Sequence, residues 1–144
     1  MDVSDFRKRI IHALDDARKD AEARRQARKE AAHAWEALLT DVAVPLFRQA
    51  SQVLRAEGHL FSVETPAETV RLVSDGSSET FLELLLDMSA ATPQVVGRLS
   101  VGKGRGRQVV DERVVAPGTR VEQLGEADLA SFLVTAVPTL IVRS

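Results

Sequence analysis

The first forty residues place apolar side chains three or four positions apart, which is the spacing of one face of a helix. Ser4 can act as an N-cap, and no Gly or Pro follows it before Pro45. The pattern therefore predicts one continuous helix over residues 4–43. Its apolar positions are Phe6, Ile10, Leu14, Ala17, Ala21, Ala31, Trp35, Leu38, Leu39 and Val42.

A basic run interrupts this apolar stripe in the middle. Arg24 and Arg28 occupy the positions that would continue it, inside the run that covers residues 24–29. Two arginines one turn apart are costly to bury without partners. We expect this stretch to face water or the carboxylates of another chain.

Pro45 lacks a backbone donor and disfavours helical geometry at Val44, so it predicts a kink or a new helix start. A second apolar face then leads to Gly58, a residue that commonly ends a helix in the left-handed conformation. This segment is expected to be a core helix. Its apolar residues are Leu46, Phe47, Ala50, Val53 and Leu54.

Beyond Gly58 the hydrophobic period falls from 3.6 to 2, which is typical of strands. Turn residues at 75–78, Pro93 and 102–106 separate the runs. The pattern predicts an antiparallel sheet of four to five strands. The candidate strands are 59–64, 68–74, 80–88, 94–101 and 107–115.

The third candidate strand alternates leucines with polar residues, and its leucine side should face the core. Directing the leucines inward requires Arg71 to lie opposite Glu83, because a slip of one residue would turn them outward. Arg98 and Arg113 are then expected to extend the outer face into a charge ladder with Glu83 and Asp87. The inward set is Leu82, Leu84, Leu86 and Met88.

Helical spacing returns over residues 126–142, where Pro138 is expected to kink or end the helix early. The broad apolar face of this segment predicts that it covers one side of the sheet. The fold class is therefore α+β. We expect one domain over residues 1–144, with residues 1–43 as a partly projecting helix and 45–144 as the globular core.

Composition narrows the classes of function. The chain has 144 residues, no cysteine and a formal net charge of −2, with 19 Lys and Arg against 21 Asp and Glu. Thiol catalysis and disulfides are excluded, and a polyanion is not favoured as the main partner. The charged N-terminus and the absence of a long apolar stretch predict a cytoplasmic protein with no membrane partner.

The sequence contains no recognisable catalytic constellation. Glu30 and His33 have the spacing used in di-metal helical bundles, but such sites need a second copy and further carboxylates. His12 and His59 have no ligand set at recurring spacing. We predict no catalytic residue, no metal ligand and no cofactor, and a non-enzymatic role is favoured. An enzyme whose site is assembled from distant residues stays an open alternative.

One loop is suited to an anionic ligand. Lys103, Arg105 and Arg107 alternate with glycines across a predicted hairpin tip, where backbone amides can approach a phosphate. Binding of an anion or a nucleic acid through residues 102–107 is therefore an alternative function. The competing interpretation is an ordinary solvated turn.

The length of the first helix favours a different function. A straight helix over residues 4–43 would be about 60 Å long, whereas a domain of this size is only about 30 Å across. The overhang carries apolar side chains that need a partner, and a second copy of the chain would bury both stripes. We therefore predict a protein–protein interaction module, either a coiled-coil homodimer or an accessory subunit. The predicted interface residues are Phe6, Ile10, Leu14, Ala17, Ala21, Arg24 and Arg28.

Overall fold

A single run of helical backbone opens the chain. The computed structural model describes residues 2–143, and it contains α1 (Val3–Leu38), a π-helical turn (Leu39–Ala43) and α2 (Val44–Ala56). The N-cap is Asp2 rather than Ser4, because the Asp2 carboxylate accepts a hydrogen bond from the Ser4 backbone N–H at 3.2 Å. The helix therefore starts one residue earlier than Ser4, at Val3.

The irregularity expected near Pro45 takes the form of the π-helical turn, and the backbone stays helical through the proline. The Val44 N–H donates to the Leu39 carbonyl, five residues earlier. This wide turn places Pro45 in the first turn of α2, where its missing donor is not needed. It also moves the buried side by one residue, so that Leu38 is followed in the core by Ala43 and then Phe47.

The five predicted strands are present and form one antiparallel sheet in sequence order. Arg71 lies opposite Glu83, so the predicted register is confirmed, and Leu82 and Leu84 are completely buried. Leu86 and Met88 are half-buried at the end of the third strand. The strands are β1 (Phe61–Glu64), β2 (Val70–Ser74), β3 (Ser77–Asp87), β4 (Gln94–Gly104) and β5 (Arg107–Val114).

The last helix, α3 (Glu126–Arg143), contacts the middle of the sheet after a short 3-10 turn at Val121–Gln123. Phe132 approaches the sheet so closely that a Cβ built on Gly97 would lie 2.2 Å from the Phe132 Cζ. The helix continues through Pro138, although an early end or a kink was expected. Pro138 has no N–H to donate to the carbonyl of Val134, four residues earlier. Both residues are exposed, so this carbonyl lies on the solvent side of the helix.

One core joins the helices to one face of the sheet. The side chain of Trp35 is buried, and its indole Nε1 donates to the Glu68 carbonyl at 2.9 Å, which ties α1 to the loop before β2. Ser51 on α2 donates to the carbonyl of Phe61 at 2.6 Å. No helix within residues 2–143 is long and apolar enough to cross a lipid bilayer.

Candidate functional site

The N-terminal part of α1 projects away from the rest of the chain. We call residues 3–30 the arm; they would span about 42 Å at 1.5 Å per residue. Every side chain in the arm is exposed except that of Ala21, which is half-buried, and Ala31 is the first buried residue of the helix. The arm therefore has no partner for its apolar side within residues 2–143.

The exposed apolar residues of the arm follow a heptad repeat. Counting back from the buried Ala31, Trp35 and Leu38, the a and d positions continue along the arm, and we call them the seam. The large apolar residues are 46% to 81% exposed, and all of them occupy seam positions or the flanking e and g positions. They are Val3 and Ile10 (d), Leu14 (a), Phe6 (g) and Ile11 (e).

The remaining seam positions are small or basic. Ala17 and Ala21 continue the seam, and Arg24 and Arg28 interrupt it before the globular part begins. The structure thus places all seven predicted interface residues on the arm, although Phe6 lies beside the seam. Val3, at a d position of the seam, and Ile11, at a flanking e position, are exposed on the same side but are not among the predicted residues.

The opposite side of the arm is occupied by its own ion pairs. Each pair joins residues four apart, with nitrogen–oxygen distances of 3.4 to 3.5 Å. All their members occupy b, c or f positions, away from the seam. Such pairs stabilise the isolated helix and keep that side hydrated. The pairs are Asp5 with Arg9, Asp15 with Lys19, and His12 with Asp16, the last of which is an ion pair only when the imidazole is protonated.

The basic hairpin tip is the second predicted site. Gly104 lies opposite Arg107, and the two residues between them, Arg105 and Gly106, have φ angles of 55° and 72°. A non-glycine residue in this left-handed region is uncommon, so the tight turn strains the backbone at Arg105. Lys103, Arg105 and Arg107 are all exposed, and the fold keeps these three cations together at the end of one hairpin.

The outer face of the sheet carries a charge ladder that differs from the expected one. Five charged residues of alternating sign lie directly opposite one another, one on each strand. The Glu83 carboxylate is the centre, at 3.0 Å from Arg71 and 3.6 Å from Arg98, and it is buried. The row is Glu64, Arg71, Glu83, Arg98 and Glu112.

The expectation that Arg113 would join this ladder is wrong. A register shift between Gly102 and Gly104 places Glu112 opposite Arg98, so Arg113 points to the other face, where it pairs with Asp111 at 3.0 Å. Asp87 lies on the same face as Glu83, where the charge of Arg98 acts on it, and it accepts hydrogen bonds from the Ser89 hydroxyl and backbone N–H. These bonds lower the pKa of Asp87.

A groove of about 780 Å³ lies between α1, the loop before β2 and the end of β3. Its floor includes Leu85 and Met88, while His33, Glu36 and Glu68 stand at its exposed rim. No hydrogen bond joins these rim side chains within the described part of the chain, so the groove lacks a paired acid and base. Residues 2–143 also contain no cluster of three His, Cys, Asp or Glu side chains that could hold a metal ion.

Comparison with models of known protein families, with curated proteins and with solved structures gives no match for this chain. The functional assignment therefore depends on the geometry of the arm, the hairpin tip and the sheet.

Proposed function

We propose that this chain is a non-enzymatic interaction module that forms a homodimer through its arm. The observation that supports this function is the division of the arm into two sides. Apolar side chains that include Phe6, Ile10 and Leu14 lie exposed on one side, while the ion pairs of the helix occupy the other. A helix with such a division is suited to lie against another helix.

A second copy is the simplest partner, because both arms then lose exposed apolar surface in one contact. Burying an aliphatic or aromatic side chain completely stabilises by about 1.5 to 3 kcal/mol, and those of the arm are already partly covered. Ten such side chains in a dimer would contribute about 10 kcal/mol. Association costs at least about 4 kcal/mol. The balance of about 6 kcal/mol corresponds to a Kd of tens of micromolar.

The test is the mass of the protein in solution over a concentration series. Sedimentation equilibrium should show a monomer–dimer equilibrium for the natural chain. Ile10→Glu combined with Leu14→Glu should shift it to monomer at every concentration. Val134→Glu combined with Val53→Glu is the matched control, since both valines are exposed outside the arm, and it should leave the dimer intact. A natural chain that stays monomeric at several hundred micromolar would refute the proposal.

Anion or nucleic-acid binding through the hairpin tip is the second candidate function. The observation that favours it is the exposure of Lys103, Arg105 and Arg107 at one turn, with the backbone at Arg105 held in a strained conformation. Backbone strain of this kind is common where a side chain is presented to a ligand.

Fluorescence anisotropy with a labelled single-stranded oligonucleotide at low salt tests this candidate. Lys103→Ala with Arg105→Ala should weaken binding and reduce its dependence on salt, because fewer counterions are released. Arg48→Ala with Arg120→Ala removes the same charge from other exposed positions and is the control. Equal affinity of the two double variants would eliminate the tip as the binding site.

A further inference from the structure

We infer that the two arms of the dimer pair antiparallel, with the two-fold axis close to His12, so that Val3 of one copy lies opposite Ala21 of the other. This inference rests on the proposed homodimer and specifies its geometry. It depends on where the cations fall along the seam and on which residues flank the apolar positions.

A parallel pair in register would bring like charges together at the centre of the interface. Arg7, Arg24 and Arg28 all occupy seam positions. In a parallel pair each of them would lie against its own copy, giving three layers of paired arginines along the seam. Charges at the core of a coiled coil are costly when they have no partner of opposite sign. Two flanking pairs would be favourable, Phe6 with Ile11 of the second copy and Asp20 with Arg25 of the second copy. The charged pair would be exposed at the rim and would contribute little, and neither pair supplies a carboxylate to the seam arginines.

The antiparallel pair avoids all three of these contacts. With the axis close to His12, the numbers of opposite seam residues add to 24. Ile10 then lies opposite Leu14, and Arg7 lies opposite Ala17, whose small side chain leaves the arginine room to reach water. Arg24 and Arg28 lie outside the stretch of seam residues that this register pairs.

The flanking positions 11 and 13 agree with this register, whereas Phe6 lies beside Asp20 of the second copy. In an antiparallel pair, e positions face e positions and g positions face g positions. Ile11 then lies beside Ile11 of the second copy, and Ala13 beside Ala13 of the second copy. This accounts for Ile11, which is 54% exposed although it lies outside the seam. The carboxylate of Asp2 of the second copy also comes within about one turn of Arg24 and Arg25, which are of opposite charge.

Neighbouring antiparallel registers are less favourable. Moving the second copy one heptad toward the globular part would place Arg7 opposite Arg24 and Val3 opposite Arg28. Moving it one heptad the other way would leave Ala17 and Ala21 without a partner. In the inferred register the second copy ends opposite residue 22, about 12 Å before Ala31, so it does not reach the globular part.

Disulfide trapping tests the register directly, because the natural chain has no cysteine and single-cysteine variants carry one reactive thiol each. Val3→Cys and Ala21→Cys proteins are mixed, allowed to exchange subunits and oxidised, and the linked peptides are identified by mass spectrometry. We expect the mixed 3–21 disulfide to exceed each self-linked product at least tenfold. Because each chain carries a single cysteine, every disulfide must join two chains.

Asp15→Cys is the control, because it lies on the outer side of the arm and should give little linked dimer in either orientation. A dimer that links 3 to 3 and 21 to 21 would overturn the antiparallel arrangement and leave the homodimer standing. A dimer that gives neither the mixed 3–21 disulfide nor the two self-linked products would also overturn this register. A monomer in sedimentation equilibrium would overturn both the register and the proposed function.

Discussion

Replacing Glu83 with alanine tests whether the sheet depends on the charge ladder of its outer face. The Glu83 carboxylate accepts hydrogen bonds from the Thr69 hydroxyl at 3.1 Å and from the Arg71 guanidinium at 3.0 and 3.2 Å, and it lies 3.6 Å from Arg98. Only 6% of its side-chain surface is exposed. The substitution would leave Arg71 and Arg98 on the two strands that flank β3, with no carboxylate between them.

The expected cost follows from the exposure of the two partners. Breaking a fully buried ion pair by removing one member costs about 3 to 5 kcal/mol, since the other charge is left uncompensated. Here the side chains of Arg71 and Arg98 are 30% and 40% exposed, so water can replace part of what is lost. We therefore expect Glu83→Ala to lower the free energy of unfolding by about 2 kcal/mol, or the Tm by about 4 to 8 °C.

Urea unfolding followed by the fluorescence of the single tryptophan, Trp35, would measure this change, because that side chain is buried in the core. Glu112→Ala is the matched control. It removes a carboxylate that lies 2.9 Å from Arg98 but is 52% exposed, so its cost should be below about 0.5 kcal/mol. If the two variants lose the same stability, burial does not determine the strength of the ladder and the reasoning fails.

Two other contacts give predictions that can be checked by similar unfolding experiments. Gly97→Ala should lower the free energy of unfolding by about 1 to 3 kcal/mol, because the new Cβ would collide with Phe132, and adding Phe132→Leu should restore part of the loss. The pKa of Asp75 is lowered below 3.8 by hydrogen bonds from Ser62 and Arg55, so its carboxylate stabilises the folded state above pH 3.8. In thermal melts, the natural protein should have a higher Tm than Asp75→Asn at neutral pH. This difference in Tm should disappear as the pH falls below 3.8. A difference in Tm that does not change with pH would contradict this.

Periodicity was sufficient to predict the order of the elements and much of the pairing. The change from period 3.6 to period 2 after Gly58 located the sheet. The leucines of β3 determined the register with β2, because only one register directs them into the core. The length of the uninterrupted helical pattern was sufficient to predict the projecting arm.

The features that were predicted wrongly or not at all depend on the three-dimensional surroundings of single residues. A hairpin with a tip at residues 105–106 and no irregularity would have placed Arg113 opposite Arg98. The shift between Gly102 and Gly104 changes this pairing by one residue and turns Arg113 to the other face. The burial of Glu83 was also missed, because alternation along a strand predicts a polar face without showing how far neighbouring arginines cover it.

In the proposed dimer, Arg24 and Arg28 would allow one helix to serve two interfaces. The same side of α1 packs into the core of its own chain at Ala31 and Trp35 and stays exposed along the arm. An uninterrupted apolar seam would let a second helix slide along it, and such sliding would bring that helix into contact with the globular part. Arg24 and Arg28 make every deeper register costly, because a second copy placed there would have to desolvate them. The gap in the apolar stripe is therefore the feature that sets the inferred register, and replacing both arginines by alanine should allow additional disulfide-linked registers to form.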